Sequence, residues 1–167
     1  MSRKRIVVWV GFLSVGFARA QSLEFDGKNG GRFSIEVPKD FVRDDFSIPG
    51  FSDRHTVASF RHVKDAKTFL SVTAIPRADF SGKKWGEIVA FIRGIECEGR
   101  SCGATQAYGT LEGYCREIKG KRSAFSLFKP VPSGDPLLFI YTKSGGNCAE
   151  LDPTLLRSFE RFRVVKP

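Results

Sequence analysis

Phe69-Leu-Ser-Val-Thr-Ala-Ile75, followed after a Pro76 to Phe80 break by Ser81 to Gly94, is the stretch on which the fold turns. The first part mixes β-branched, aromatic and small residues as a strand with a well-buried face does. In the second part the period changes. Trp85, Ile88, Val89 and Ile92 fall at i, i+3, i+4 and i+7, which puts all four on one helical stripe. Ser81 is the expected N-cap and Gly94 the expected residue just past the C-terminus. Burying each of the four side chains is worth about 1.5 to 3 kcal/mol before ordering entropy is subtracted, so this helix is expected to clamp the sheet.

Working outward toward the N-terminus, Leu23 to Asp26 and Arg32 to Val37 both alternate, with Phe33, Ile35 and Val37 on one face. The glycine-rich Gly27 to Gly31 between them reads as a hairpin turn, since it lacks the strand-to-helix context of a phosphate cradle. Thr56 to Val63 alternates as well, and Lys64 to Lys67 is read as the turn that pairs it with the strand at Phe69. Between these hairpins Lys39 to His55 shows no period. A connection of seventeen residues without an element is a packed cover or a binding loop.

Toward the C-terminus three further strands are expected: a long one through Tyr108, Leu111, Tyr114 and Ile118, bent at Gly109 or Gly113; one at Ser123 to Lys129; and one at Leu137 to Thr142. Asp152-Pro153 then opens a closing helix whose apolar stripe is Leu155, Leu156, Phe159 and Phe162. Crossovers between neighbouring strands are mostly short. The expected fold class is therefore α+β, a mainly antiparallel sheet packed against two main helices.

Residues 1–20 have the parts of a cleavable secretory signal: basic Arg3-Lys-Arg5, twelve apolar-rich residues from Ile6 to Phe17, and the small-x-small site Ala18-Arg-Ala20. Twelve residues are too few to span a bilayer. The expectation is an exported chain, periplasmic or secreted, with residues 21–167 as one domain and no transmembrane segment after cleavage. Four of the 27 Lys and Arg residues and none of the 18 acids lie in the leader, so the remainder carries +5. Basic runs are no longer than two or three residues, which disfavours nucleic acid and leaves a mild preference for anionic partners.

All four cysteines follow the leader, and an even count in an exported chain reads as two disulfides. Three pairings are possible. Cys97 with Cys102 and Cys115 with Cys148 is favoured, because the first pair flanks the Glu98 to Ser101 turn and the second ties a strand to the lead-in of the last helix. A zinc site does not match these spacings. The histidines, His55 and His62, stand in no nucleophile motif, and no cofactor is expected.

Phe33-Ser-Ile-Glu-Val-Pro38, Leu70-Ser-Val-Thr-Ala74 followed by a helix, and Leu156-Arg-Ser-Phe159 in a last helix together resemble the PsbP-like superfamily, which includes the photosystem II extrinsic protein and bacterial DcrB-type envelope proteins. The resemblance spans residues 23 to 165. It implies an α/β/α sandwich and a non-enzymatic accessory or binding role outside the cytoplasm. The four cysteines are a departure from that pattern.

The leading expectation is thus an exported, disulfide-stapled binding or accessory protein that recognises another protein or an anionic envelope component. Its expected binding surface is the long loop with the adjoining strand edge: Phe46, Ile48, Phe51, Arg54, His55 and Arg61. Apolar residues bordered by charge are what interface anchors and rims are made of. The alternative is a secreted hydrolase or inhibitor-type effector using His55 or His62 with a nearby carboxylate.

Overall fold

Alternation in the strands and the 3.6-residue stripes in the helices sort the apolar side chains onto two sides of one sheet. A computed structural model of the chain describes residues 21–26 (backbone only), 32–44, 55–118, 121–131, 135–145 and 147–165. The strands are β1 (Gln21–Asp26), β2 (Arg32–Val37), β3 (Phe41–Arg43), β4 (Thr56–His62), β5 (Asp65–Ala74), β6 (Gln106–Tyr108), β7 (Leu111–Ile118), β8 (Arg122–Lys129), β9 (Leu137–Ser144) and β10 (Arg163–Val164). The helices are α1 (Trp85–Cys97) and α2 (Pro153–Glu160), with a short 3₁₀ turn at Arg77–Phe80.

Seven strands form the main sheet in the order β3-β4-β5-β9-β8-β7-β6, every neighbouring pair antiparallel. The first hairpin stands apart from it. With β10 it makes a second, three-stranded sheet in the order β1-β2-β10. One side of the main sheet carries Leu70, Val72, Phe125, Leu127 and Phe139, which pack with Phe33, Ile35 and Val37 of β2 and with Leu155, Phe159 and Phe162. On the other side Ile75, Tyr114, Phe128, Leu138 and Ile140 meet Ile88, Val89 and Ile92 of α1. The architecture is the expected α+β sandwich, with α1 on one face and α2 plus the small sheet on the other.

The clamp helix is displaced from its expected bounds at both ends. It begins at Trp85, because the 3₁₀ turn and Ser81 to Lys84 use up the start, and Ser81 closes that turn instead of capping the helix. The carboxylate of Glu87 accepts the Lys84 N–H at 2.6 Å, satisfying a group at the helix start. The helix then runs through Gly94 to Cys97, and the left-handed glycine beyond it is Gly99, at φ +64°. Glycine inside a helix costs about 1 kcal/mol relative to alanine. Contacts of the last turn offset that. One Glu96 carboxylate oxygen accepts from Tyr114 Oη at 2.6 Å, from Ser126 Oγ at 2.7 Å and from Arg116 Nη1, and the next residue is bonded to Cys102.

Four further differences have local causes. The long strand expected from Gln106 to Ile118 is a tight hairpin, β6 and β7, turned at Gly109 with φ +58°. A Cβ there would also collide with Glu160 Oε1, which accepts the Thr110 N–H at 2.9 Å. The turn expected over Lys64 to Lys67 is shorter, since β5 already starts at Asp65 opposite His62 across a register shift. Strand β3 lies inside the segment that shows no period, and β10 follows the closing helix without a sequence signal; three and two residues are too few for a period to register.

Both disulfides are present, Cys97 to Cys102 and Cys115 to Cys148. The second joins β7 to the segment that leads into α2, where Asp152 Oδ1 accepts the Thr154 N–H at 2.7 Å as N-cap ahead of Pro153.

Candidate functional site

At one end of the sandwich, four segments that are distant in sequence enclose a cleft of about 330 Å³. Pro38 and Asp40 precede β3 and Phe41 opens it, His62 ends β4 and Asp65 and Thr68 lie in the first part of β5, Tyr141, Lys143 and Ser144 come from the end of β9, and Asp152 and Leu155 from the start of α2. Strand alternation explains the β9 contribution: Phe139 and Tyr141 face the α2 layer, and Lys143 follows on the same side.

Most polar groups of the cleft are held by their own chain. Asp65 accepts Thr68 Oγ1 at 2.6 Å, the Lys67 N–H at 3.0 Å and the Ser144 hydroxyl. Those bonds, Ser144 foremost, hold its carboxyl at a pKa of about 2. Lys143 Nζ donates to the Glu150 carbonyl at 2.9 Å and lies 5.6 Å from the centre of the Phe125 ring. The His62 ring meets Phe41 edge-on at 5.4 Å, and its Nδ1 accepts the Lys64 N–H at 3.3 Å.

Tyr141 is the exception. Its ring stacks on Phe125 at 6.3 Å and only 7% of the residue is exposed, yet its hydroxyl has no hydrogen-bond partner among the described residues. Burial, with Asp152 and Asp65 nearby, pushes the phenol up to about 12. It is a neutral donor and acceptor held at the wall of a cleft with its capacity unused.

The arrangement is not that of a nucleophile triad. Such a site needs an imidazole whose Nδ1–H points to a carboxylate while Nε2 faces the nucleophile. Here Nδ1 of His62 accepts a backbone N–H, which leaves the neutral ring protonated on Nε2, and the Ser144 hydroxyl donates to Asp65. Among the described residues no three His, Cys, Asp or Glu side chains are grouped so as to hold a metal ion.

Of the surface residues expected from the sequence, Phe46, Ile48, Phe51 and Arg54 lie outside the described residues. His55 and Arg61 are described, and neither lines the cleft. His55 Nε2 is 3.9 Å from Asp79 Oδ2 beside the 3₁₀ turn, at the opposite end of β4 from His62, and Arg61 Nε is 2.5 Å from Asp44 Oδ2. At about 3.3 Å per residue the two histidines are roughly 20 Å apart and cannot share a substrate bond. The acids at Glu96 and Glu112 are structural, tied to Arg116 and to the Trp85 indole. Nothing in the sequence joins Asp40, Tyr141 and Asp152 as a group. The available signal was a tyrosine within the otherwise apolar run Leu137 to Tyr141.

No family model matches the chain, and no curated protein matches it. Among solved structures it is similar to cyanobacterial PsbP (CyanoP) from Synechocystis sp. PCC 6803, determined in solution, with a TM-score of 0.53 at 14% identity over 90% of this chain and 95% of that one. With the antiparallel main sheet between two helical layers already described, that likeness assigns the chain a PsbP-like fold.

Proposed function

We propose that the chain is an exported binding or accessory protein that makes and breaks no covalent bond, and that its ligand enters the cleft walled by His62, Tyr141 and Asp152. The observation that carries this reading is Tyr141, a residue only 7% exposed at the cleft wall whose hydroxyl has no partner among the described residues. The hydroxyl of a largely buried tyrosine usually finds a partner, and one left open where it meets a cleft is ready for a ligand. Export is supported by the signal-like residues 1–20 and by two disulfides, which persist in oxidising compartments. Among the described residues no helix is long and apolar enough to cross a membrane.

The partner is another protein or an envelope component. An anionic component on the strand edge is the weaker choice, because Arg61 there is engaged by Asp44. The test is affinity capture by oxidised residues 21–167 from envelope and secreted extracts. It compares the wild type with Asp40→Arg, which puts bulk and positive charge at the cleft mouth from an exposed position. A partner lost by Asp40→Arg with unchanged circular dichroism supports the reading. Retention by Asp40→Arg but loss in Phe46→Ser/Phe51→Ser moves the surface to the long loop, and turnover abolished by His62→Ala replaces the reading with the hydrolase alternative.

A further inference from the structure

The charge of the cleft runs opposite to that of the protein. The chain as a whole is +9, yet the cleft presents three carboxylates, Asp40, Asp65 and Asp152, against one ammonium, Lys143. That ammonium is already turned to the Glu150 carbonyl and the Phe125 ring. Anions are therefore disfavoured here. The carboxylates do not gather as a metal-ligand set, so a hard divalent ion has no cage.

What remains unspent is mostly acceptor capacity. Both oxygens of Asp65 are used, but the Asp40 carboxylate and Asp152 Oδ2 accept no hydrogen bond among the described residues, and the Tyr141 hydroxyl oxygen is likewise open. A primary ammonium has three N–H donors and no acceptor, which is the complement of that set. The remaining wall is apolar and aromatic, with Phe41 and Leu155 both buried, and suits an aliphatic stem and the face of a cation. At about 30 Å³ per water the volume equals roughly ten waters, enough for a straight-chain amine and too small for a folded peptide.

We infer that the cleft receives a primary alkylammonium group, the chemistry shared by a free aliphatic amine and a lysine side chain, with Asp40, Asp152 and Tyr141 as its acceptors. This rests on the binding reading proposed above and names the ligand class of the same cleft.

The experiment is an amide chemical-shift titration of oxidised residues 21–167 with four probes: pentane-1,5-diamine, its doubly acetylated neutral form, an acetylated Gly-Lys-Gly amide and inorganic phosphate. Saturable shifts at Asp40, Tyr141 and Leu155 with the diamine or the lysine peptide, absent with the acetylated form, are expected. The tighter of the two identifies a free amine or a partner's lysine as the source. Tyr141→Phe should weaken the binding about tenfold, as a hydrogen bond to a charged group does, and Asp152→Asn, which keeps the helix cap, by about threefold or more. Equal response to the acetylated form, a response to phosphate at the same amides, or no response to either amine overturns the inference. In those cases the binding reading stands if a captured partner is still lost by Asp40→Arg, and falls with the inference if it is not.

Discussion

Two buried tyrosines illustrate how differently one side-chain type is used. Tyr114 is fully buried and donates to Glu96 at 2.6 Å within the group that includes Arg116 and Ser126, while Tyr141 is nearly as buried and its hydroxyl has no partner among the described residues. Tyr114→Phe should therefore lower stability by about 1.5 to 3 kcal/mol, since it strips a donor from a buried carboxylate. Tyr141→Phe should change it by less than about 0.5 kcal/mol. Urea unfolding of the two variants separates them. The same residues set the pH limits. Asp65 has a folded pKa of about 2, below its unfolded value of 3.8, so its contribution is present above pH 4 and lost as pH falls from about 4 to 2. Tyr141 is raised from 10.0 to about 12, so the unfolded chain gives up this proton first and stability is lost as pH rises from 10 to 12. Melting temperature against pH should fall in both windows, and Tyr141→Phe should lessen the alkaline loss.

At the scale of elements, α2 holds one wall of the cleft, and its far end is fixed by a residue of the sheet. Lys129 at the end of β8 donates from Nζ to the carbonyls of Phe159 at 3.3 Å, Glu160 at 2.5 Å and Phe162 at 2.9 Å. Phe159 and Glu160 belong to the last turn of α2 and Phe162 follows it, the Phe159 carbonyl also accepting the Phe162 N–H at 3.3 Å, and a cation there meets the negative end of the helix dipole. Burial pushes the Lys129 ammonium down from its usual pKa. Lys129→Met keeps the stem and removes the donors; it should cost about 2 kcal/mol and speed hydrogen exchange over Phe159 to Val164. The elements were legible in the sequence where they are long. Four residues at i, i+3, i+4 and i+7 disclosed α1, and Asp152-Pro153 disclosed the start of α2. The bounds of α1 were not legible, because the disulfide and the Glu96 carboxylate that carry it past Gly94 are tertiary. Nor was the hairpin at Gly109, where a strand pattern continues on both sides of the turn.

At the scale of the whole molecule, the two disulfides act on rings of different size. Cys97 to Cys102 closes a separation of five residues and Cys115 to Cys148 one of 33. On the chain-entropy account these are worth about 2 and about 4 kcal/mol. Replacing Cys115 and Cys148 by Ser should lower the melting temperature more than replacing Cys97 and Cys102. The difference of about 2 kcal/mol corresponds to roughly 4 to 8 °C in a domain of this size. The cleft was illegible for a reason that belongs to this scale. Asp40, His62, Tyr141 and Asp152 come from four segments whose sequence neighbours say nothing of one another, and only strand order and the docking of α2 bring them together.

The central claim is that this cleft binds a ligand from the protein's surroundings, and the thermal stability of the oxidised protein tests it most directly. Melting curves are recorded with increasing amounts of fractionated envelope extract, for the wild type and for Asp40→Arg. A ligand at one hundred times its Kd stabilises the folded state by about 2.7 kcal/mol, which corresponds to a rise of at least about 5 °C here. The account predicts that rise for the wild type in at least one fraction and none for Asp40→Arg. Equal rises in the two proteins, or no rise in any fraction, would contradict it.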